Sequence, residues 1–143
     1  MTLISVILPF RDAVETLESA IVSILQQSHK NLELILINDN SQDGSLAVAN
    51  AKNDARIKVI NNKGNGLVSA LNTAINCAAG TYIARMDADD ISLPHRLQEQ
   101  FAHLQDLPEN YVLSCLVNYK RRGNIEQNSS GYQIHVDWLN SLH

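Results

Sequence analysis

The sequence predicts an α/β fold, a mostly parallel sheet with helices on both faces. Three observations predict it. Short apolar runs rich in branched residues alternate with segments of helical periodicity, in the order β-α-β-α-β-α-β. The runs are nearly continuous in apolar residues, as strands buried on two sides are. Polar and acidic residues collect just after these runs, at the edge where open parallel sheets hold ligands.

Residues 3–8 form the first predicted strand. Asp12, with Glu15 three places on, has the spacing of a capping box. The helix it would open carries Val14, Leu17, Ile21, Ile24 and Leu25 on one face. Residues 32–37 are the second strand, and Asp43 is suited to cap a short helix running to about residue 53. Residues 57–60 are the third strand. Leu67, Ala70, Leu71, Ala74, Ile75 and Ala78 make the cleanest helical stripe, with Gly80 as its stop signal. Residues 81–86 are the fourth strand. Ser92 and Pro94 open a helix with Leu97, Phe101 and Leu104 on one face, and Pro108 ends it. Residues 111–117 read as a fifth strand. After Asn118 the chain turns polar: 120–123 and 127–131 read as loops, and 134–142 as a helix. Connections between parallel strands should be right-handed.

The 143 residues suffice for one domain. With 45% hydrophobic and 18% charged residues, the composition is that of a soluble globular chain. No apolar run approaches the ~18 residues of a membrane span. The run at 3–8 follows no basic residue and is closed by Pro9, so it does not read as a signal peptide. The net charge is -4, and the one compact basic cluster is Lys120, Arg121 and Arg122. A nucleic-acid partner is therefore not expected, since phosphate neutralisation needs a basic footprint. Cys77 and Cys115 lack CxxC spacing and sit among apolar residues, which predicts small buried thiols in a reducing compartment.

The chemistry should lie at the strand ends. These read Pro9-Phe10-Arg11-Asp12, Asn38-Asp39-Asn40-Ser41 and Asp87-Ala88-Asp89-Asp90. On an extended chain Asp87 and Asp89 point the same way. Two converging carboxylates suit a hard cation such as Mg2+ or Mn2+, which completes its shell with phosphate oxygens and water. They equally suit a solvated acidic turn before the next helix, a role open to Asp90. Asp39 could accept hydrogen bonds from a nucleoside or organise its own turn. Residues 64–69 approximate a dinucleotide fingerprint, but Ser69 replaces the third glycine and residues 61–63 separate the strand from the first. A loop and helix start is the better reading. The histidines His29, His95, His103, His135 and His143 show no metal-ligand spacing, and no serine sits in a nucleophile elbow.

Taken together, Ser5-Val6-Ile7-Leu8-Pro9-Phe10-Arg11, the run from Asn38 to Ser45, Asn65-Gly66 with Leu71-Asn72, the run from Ala79 to Asp90, and Leu93-Pro94-His95-Arg96-Leu97 with Gln100 resemble glycosyltransferase family 2 in order and spacing. The resemblance covers about residues 3–117. It implies the Rossmann-like GT-A fold, with Pro9, Phe10, Arg11 and Asp39 lining the donor nucleotide pocket. It also implies that Asp87-Ala88-Asp89 is the DXD motif. Asp87 and Ala88 would meet the donor, and Asp87 and Asp89 would hold Mn2+ or Mg2+ with its diphosphate. The activity implied is metal-dependent, inverting transfer of a sugar from a nucleotide-sugar, usually a UDP-sugar, to a glycan or lipid-linked acceptor. Such work in cell-surface polysaccharide biosynthesis implies a cytoplasmic protein at the cytoplasmic face of the membrane.

Two departures stand out. Asn38 occupies a position where the family commonly has Asp. No Glu-Asp pair follows Asp90, and Glu99, Asp106, Glu109, Glu126 and Asp137 are not in the context expected of the catalytic base. The chain thus reads as a truncated single domain over 1–143. Residues 1–118 would be its nucleotide-sugar-binding part, and 119–143 the start of an incomplete acceptor part. Trp138, Leu139 and Leu142 would cover apolar surface or mediate homo-oligomer formation. Two alternatives are a nucleotide-sugar-binding fragment without catalysis and a sugar-phosphate nucleotidyltransferase. The latter would need a glycine-rich basic loop after the first strand, and residues 9–12 contain no glycine.

Overall fold

The computed structural model describes residues 2–107 and 111–117. Its elements run β1 (Ile4–Phe10), α1 (Leu17–Leu25), β2 (Leu32–Asn38), α2 (Ser45–Asn50), β3 (Ile57–Asn61), α3 (Leu67–Cys77), β4 (Tyr82–Arg85) and α4 (Arg96–Gln105). The chain divides into two compact units, Met1–Glu99 and Gln100–His143. The first holds all four strands.

These strands form one parallel sheet in the order β3-β2-β1-β4. β1 pairs with β2 from Ile4 opposite Leu32 to Phe10 opposite Asn38, and with β4 from Ile4 opposite Tyr82 to Ile7 opposite Arg85. Every residue of β1 and β2 is buried, as their unbroken apolar runs require of central strands. The first two crossovers step one way along the sheet. The third returns over β2 and β1 to the far side. Right-handed connections therefore put α1 and α2 on one face and α3 on the other.

On the α3 face, Ala70 and Ala74 meet Ile7, Ile35 and Ile37, with Ile60, Leu71 and Ala78 at the margin. Small residues four apart let the helix axis come close to the strands. By strand alternation Val6, Leu8, Leu34 and Leu36 point to the opposite face, and all are fully buried. There α1 buries Leu17, Ala20, Ile21 and Ile24 and contacts α2.

A charged latch sits at the other end of the strands. Buried Glu33 on β2 accepts from Ser5 Oγ (2.6 Å), from the Ala79 N–H (2.6 Å) and from Lys58 Nζ (2.6 Å). Burial raises the Glu33 carboxyl, but the hydrogen bonds from Lys58, Ser5 and Ala79 outweigh it and hold the pKa at about 2. Gly80 closes the latch. Its N–H donates to Ser5 Oγ (2.8 Å), and a Cβ there would stand 2.6 Å from the Ser5 nitrogen. Gly80 is thus required for a close backbone approach. α3 has already ended at Cys77, with Ala78 extended after it.

Several expectations are corrected. Residues 111–117 carry no strand, and Val112 is 78% exposed. An apolar, branched run becomes a strand only where a neighbouring edge pairs with it and buries it. Asp12 caps no helix: it takes positive φ (48°), and its carboxylate accepts from the Gln42 N–H (2.7 Å). α1 accordingly begins at Leu17, behind a Thr16 that makes no side-chain cap. α2 ends at Asn50, short of residue 53. α4 begins at Arg96, because Ser92 is used elsewhere. Cys77 and Cys115 are free and exposed rather than buried, Ala78 taking the inward place at the end of α3. Expectations for Pro108, Glu109, the loops at 120–123 and 127–131, Glu126, and the 134–142 helix with Asp137, Trp138, Leu139 and Leu142 lie outside the described residues. So does the proposed part at 119–143.

Candidate functional site

Strand order reverses between β1 and β4, and such a switch point opens a crevice beyond the carboxyl ends of the strands. Two open clefts lie there, each of about 330 Å³. The first is lined by Pro9, Phe10, Arg11, Asp39, Gly66 and Leu67. The second shares Pro9, Phe10 and Arg11 and continues past Asp12 and Thr16 to Ala88 and Asp89. The end of β1 is therefore the wall common to both. Of the residues the sequence singles out, Pro9, Phe10, Arg11, Asp39, Ala88 and Asp89 come together. Asp87 lines neither cleft and pairs with Arg85 Nη2 at 2.7 Å.

Asp39 follows β2 directly, and its N–H donates to the Phe10 carbonyl (2.9 Å), which ties the two strand ends together. Its carboxylate is 5% exposed and turns toward the loop between β3 and α3. Oδ1 accepts from Asn62 Nδ2 (2.7 Å), and the Gly66 N–H is shared between both oxygens at 3.1 Å. Gly66 has φ of +84°, a conformation strained for any residue with a side chain. This settles the role of the glycine-rich stretch. The N–H that a dinucleotide fingerprint would aim at pyrophosphate is taken by Asp39. Among the described residues Oδ2 receives only that shared N–H, so it keeps capacity for a ligand donor.

Asn62 was not legible as a site residue. It is buried, and its Oδ1 accepts from Ser69 Oγ (2.9 Å) and the Gly64 N–H (3.2 Å), fixing the loop that faces Asp39. Nothing in its local sequence marks it. Gly66 was marked only by the Asn65-Gly66 pair. Asn38 proves structural: Nδ2 donates to Asn61 Oδ1 (3.0 Å), and Oδ1 accepts the Ser41 N–H (3.0 Å). Its amide thus serves both β3 and the turn after β2.

The loop after β1 is held from α2. The Ala13 N–H donates to Ser45 Oγ (2.8 Å) and the Val14 N–H to Asp43 Oδ2 (3.0 Å), so Asp43 serves the approach to α1 as well as its own turn. Hydrogen bonds led by the Ser45 hydroxyl hold the Asp43 carboxyl below its ordinary value. Arg11 is half exposed, with Asp12 only at the 4.0 Å limit of an ion pair. Among the described residues it is the one cation lining either cleft.

The acidic loop is short and crowded. The Met86 N–H donates to the Ile7 carbonyl (3.1 Å), carrying the sheet to its threshold. The Asp90 N–H returns to the Asp87 carbonyl (3.3 Å) and closes a turn. Burial raises the Asp90 carboxyl above its ordinary value, and the charges of Asp89 and Asp87 add to this, against Arg96 and Arg85. Among the described residues no three His, Cys, Asp or Glu side chains gather around one point. The described residues alone therefore make no closed cation cage. One open carboxylate at the cleft with a second beside it is the donor set of an ion that takes its remaining oxygens from phosphate and water, as Mg2+ and Mn2+ do. The residues present fit such an ion.

The chain matches the family model described as Glycosyl transferase family 2 over residues 5–141. The putative glycosyltransferase EpsE of Bacillus subtilis (strain 168) is 47% identical over 106 residues, which are 71% of this chain and 38% of EpsE. The UDP-Glc:alpha-D-GlcNAc-diphosphoundecaprenol beta-1,3-glucosyltransferase WfgD of Escherichia coli is 36% identical over 101 residues, 70% of this chain and 40% of WfgD. Among solved structures, the mannosyltransferase PcManGT of Pyrobaculum calidifontis, in complex with GDP-Man and Mn2+, superposes with a TM-score of 0.56 at 25% identity. That match covers 62% of this chain and 28% of PcManGT. The chain spans 38% to 40% of the length of these curated relatives. No helix among the described residues is long and apolar enough to cross a membrane. With its parallel sheet, its switch-point clefts and a family match over nearly its whole length, this chain has the GT-A fold and belongs to glycosyltransferase family 2.

Proposed function

We propose that residues 1–118 form the donor-binding part of an inverting glycosyltransferase that takes a UDP-sugar together with Mn2+ or Mg2+. The observation that carries this is the pair of clefts joined along Pro9, Phe10 and Arg11, with the buried Asp39 carboxylate at one end and Asp89 at the other. A nucleoside diphosphate has the same order of parts: a base with N–H donors, then charged phosphates.

In this reading Asp39 Oδ2 accepts a hydrogen bond from the imide N–H of uracil, while Asn62 and Gly66 hold the carboxylate in place. Phe10 and Pro9 supply the apolar wall, and the Arg11 guanidinium meets the diphosphate where the clefts join. Asp89, with Asp87, would hold the divalent ion, which when bound stabilises the charge on the departing diphosphate as a Lewis acid. Ala88, with its small side chain, leaves the donor room beside the acidic pair. Inversion needs an acceptor hydroxyl on the opposite face of the sugar and a general base beside it. The name of WfgD, with its diphosphoundecaprenol acceptor, supports a lipid-linked acceptor. The Mn2+ in the PcManGT complex supports the ion.

Titration calorimetry with UDP, with Mn2+ or with excess chelator, tests the reading. UDP should bind in both conditions and more tightly with Mn2+. Asp89→Asn should remove more of the metal-dependent gain than Asp90→Asn, because Asp90 lines neither cleft. Equal affinity in chelator would dismiss the ion, and absence of UDP binding would dismiss the function.

A further inference from the structure

The loop that carries Asp89 has little of its own to hold Asp89 in place. Three carboxylates lie within four residues; among the described residues the Asp90 N–H returns to the Asp87 carbonyl (3.3 Å) and Arg85 holds Asp87 (2.7 Å), while Asp89 lies between them at the cleft. Its position must come from anchors on either side. Upstream the anchor is the sheet, through Met86 and Ile7. Downstream it is Gln27, a residue just past α1 that is far from both clefts in sequence and lines neither.

Gln27 is fully buried. Its Nε2 donates to the Leu93 carbonyl (2.7 Å) and lies 3.1 Å from Ser92 Oγ and 3.1 Å from the Ser23 carbonyl. Its Oε1 accepts the Leu97 N–H (3.1 Å). Beside it the Ser92 N–H donates to Ser23 Oγ (3.0 Å), and the Ser28 N–H to the Pro94 carbonyl (2.8 Å). One side chain thus joins the end of α1 to the segment 92–97, starting three residues after Asp89. A buried amide with all its partners selects one arrangement of the groups around it, which an aliphatic side chain of equal size would not do.

We propose that Gln27 is a positioning residue for Asp89: by fixing residues 92–97 on α1 it holds the acidic loop at the second cleft, and so sets the cation-dependent part of donor binding. This rests on the reading of Asp89 as the cation end of the site. The nucleoside end, at Asp39, is held by the β3–α3 loop and should not depend on Gln27.

The experiment measures UDP affinity with Mn2+ and in excess chelator for the unaltered chain and for Gln27→Glu, Gln27→Met and Ser92→Ala, below the thermal midpoint of each. Gln27→Glu keeps the shape, removes both amide hydrogens and sets a charge against the Ser23 and Leu93 carbonyls. Gln27→Met keeps the length without polar atoms. Ser92→Ala removes one partner and is the mildest, so it carries the test if the Gln27 variants do not fold. Affinity in chelator should be unchanged, while the gain from Mn2+ falls about tenfold in the Gln27 variants, the lower end of what outer-shell changes cost a metal site. Ser92→Ala should move the same way by less. Full retention of the Mn2+ gain in folded variants overturns the proposal, as does an equal loss in both conditions, which would mark Gln27 as merely structural. Absence of any Mn2+ gain in the unaltered chain overturns the reading of Asp89 and the proposal with it.

Discussion

On the proposed reading, Asp39 and Asp89 divide the work of one site by their surroundings. Asp39 is buried and already receives two donors, so it is a rigid acceptor with one oxygen partly open. Asp89 is exposed at a cleft beside other carboxylates, so it is a place where negative charge accumulates. Replacing Asp39 by Asn should lower UDP affinity by about 1.5–3 kcal/mol, the value of one hydrogen bond to a charged group. It would also turn an amide toward the donors on Asn62 and Gly66. Calorimetry beside a thermal melt separates the two effects, and an unchanged affinity in a folded variant would remove Asp39 from the pocket. The sequence placed both aspartates at strand ends, and the structure puts them at the two clefts, because a carboxylate after an apolar strand stands out and because the Asp87-Ala88-Asp89 spacing is distinctive. Asn62 and Gln27 were not. Asn62 meets its carboxylate across 23 residues and Gln27 meets Ser92 across 65, and no window of sequence contains both partners.

Elements were legible where burial is symmetrical and hidden where contact is specific. β1 and β2 announce themselves as unbroken apolar runs because both of their faces are covered. The start of α1 was misread because Asp12-x-x-Glu15 satisfies a local rule that a longer-range bond, from Gln42, overrides. The pairing of β2 with β1 and β3 shows the same contrast, since apolar pattern says nothing of the ionic latch between them. Glu33 sits at about 2 in the folded chain, against an ordinary value of 4.5. A lowered carboxyl contributes stability above its unfolded pKa and loses it as pH falls through the folded one. The latch should therefore contribute up to about 3 kcal/mol above pH 4.5, declining toward pH 2. Asp54, held at about 2 by Arg56, declines over the same range. The Glu33 share is accordingly the difference between urea unfolding of the unaltered chain and of Glu33→Gln, taken at pH 6 and at steps down to pH 2.5. Parallel curves for the two would show that Lys58 and Ser5 contribute nothing through this carboxylate.

For the molecule as a whole, fold class followed from alternation and family from motif order, but strand order could not, since β4 lies beside β1 only through a return across the sheet. The four-stranded sheet supplies two open clefts, which on the proposed reading take the donor, and the chain spans 38% to 40% of the length of the curated relatives named above. On that reading residues 1–143 by themselves should bind UDP-sugar and hydrolyse it slowly at most. Transfer to an acceptor should be lower by at least the 10²–10⁴-fold that acid–base assistance contributes. Product analysis by mass spectrometry after long incubation checks this, and efficient transfer to a defined acceptor would refute it. The placement of β4 has one more consequence, for handling. It is the last strand of the sheet among the described residues, and Ile83 on it is 47% exposed. Among the described residues no further strand lies beyond it, and a sheet edge of that kind is a template on which another extended chain can add itself by backbone pairing. Lysine and proline, the usual guards of such an edge, are absent from its four residues. Concentrated solutions of this polypeptide should consequently scatter light and deposit β-rich precipitate sooner than its modest hydrophobic content suggests.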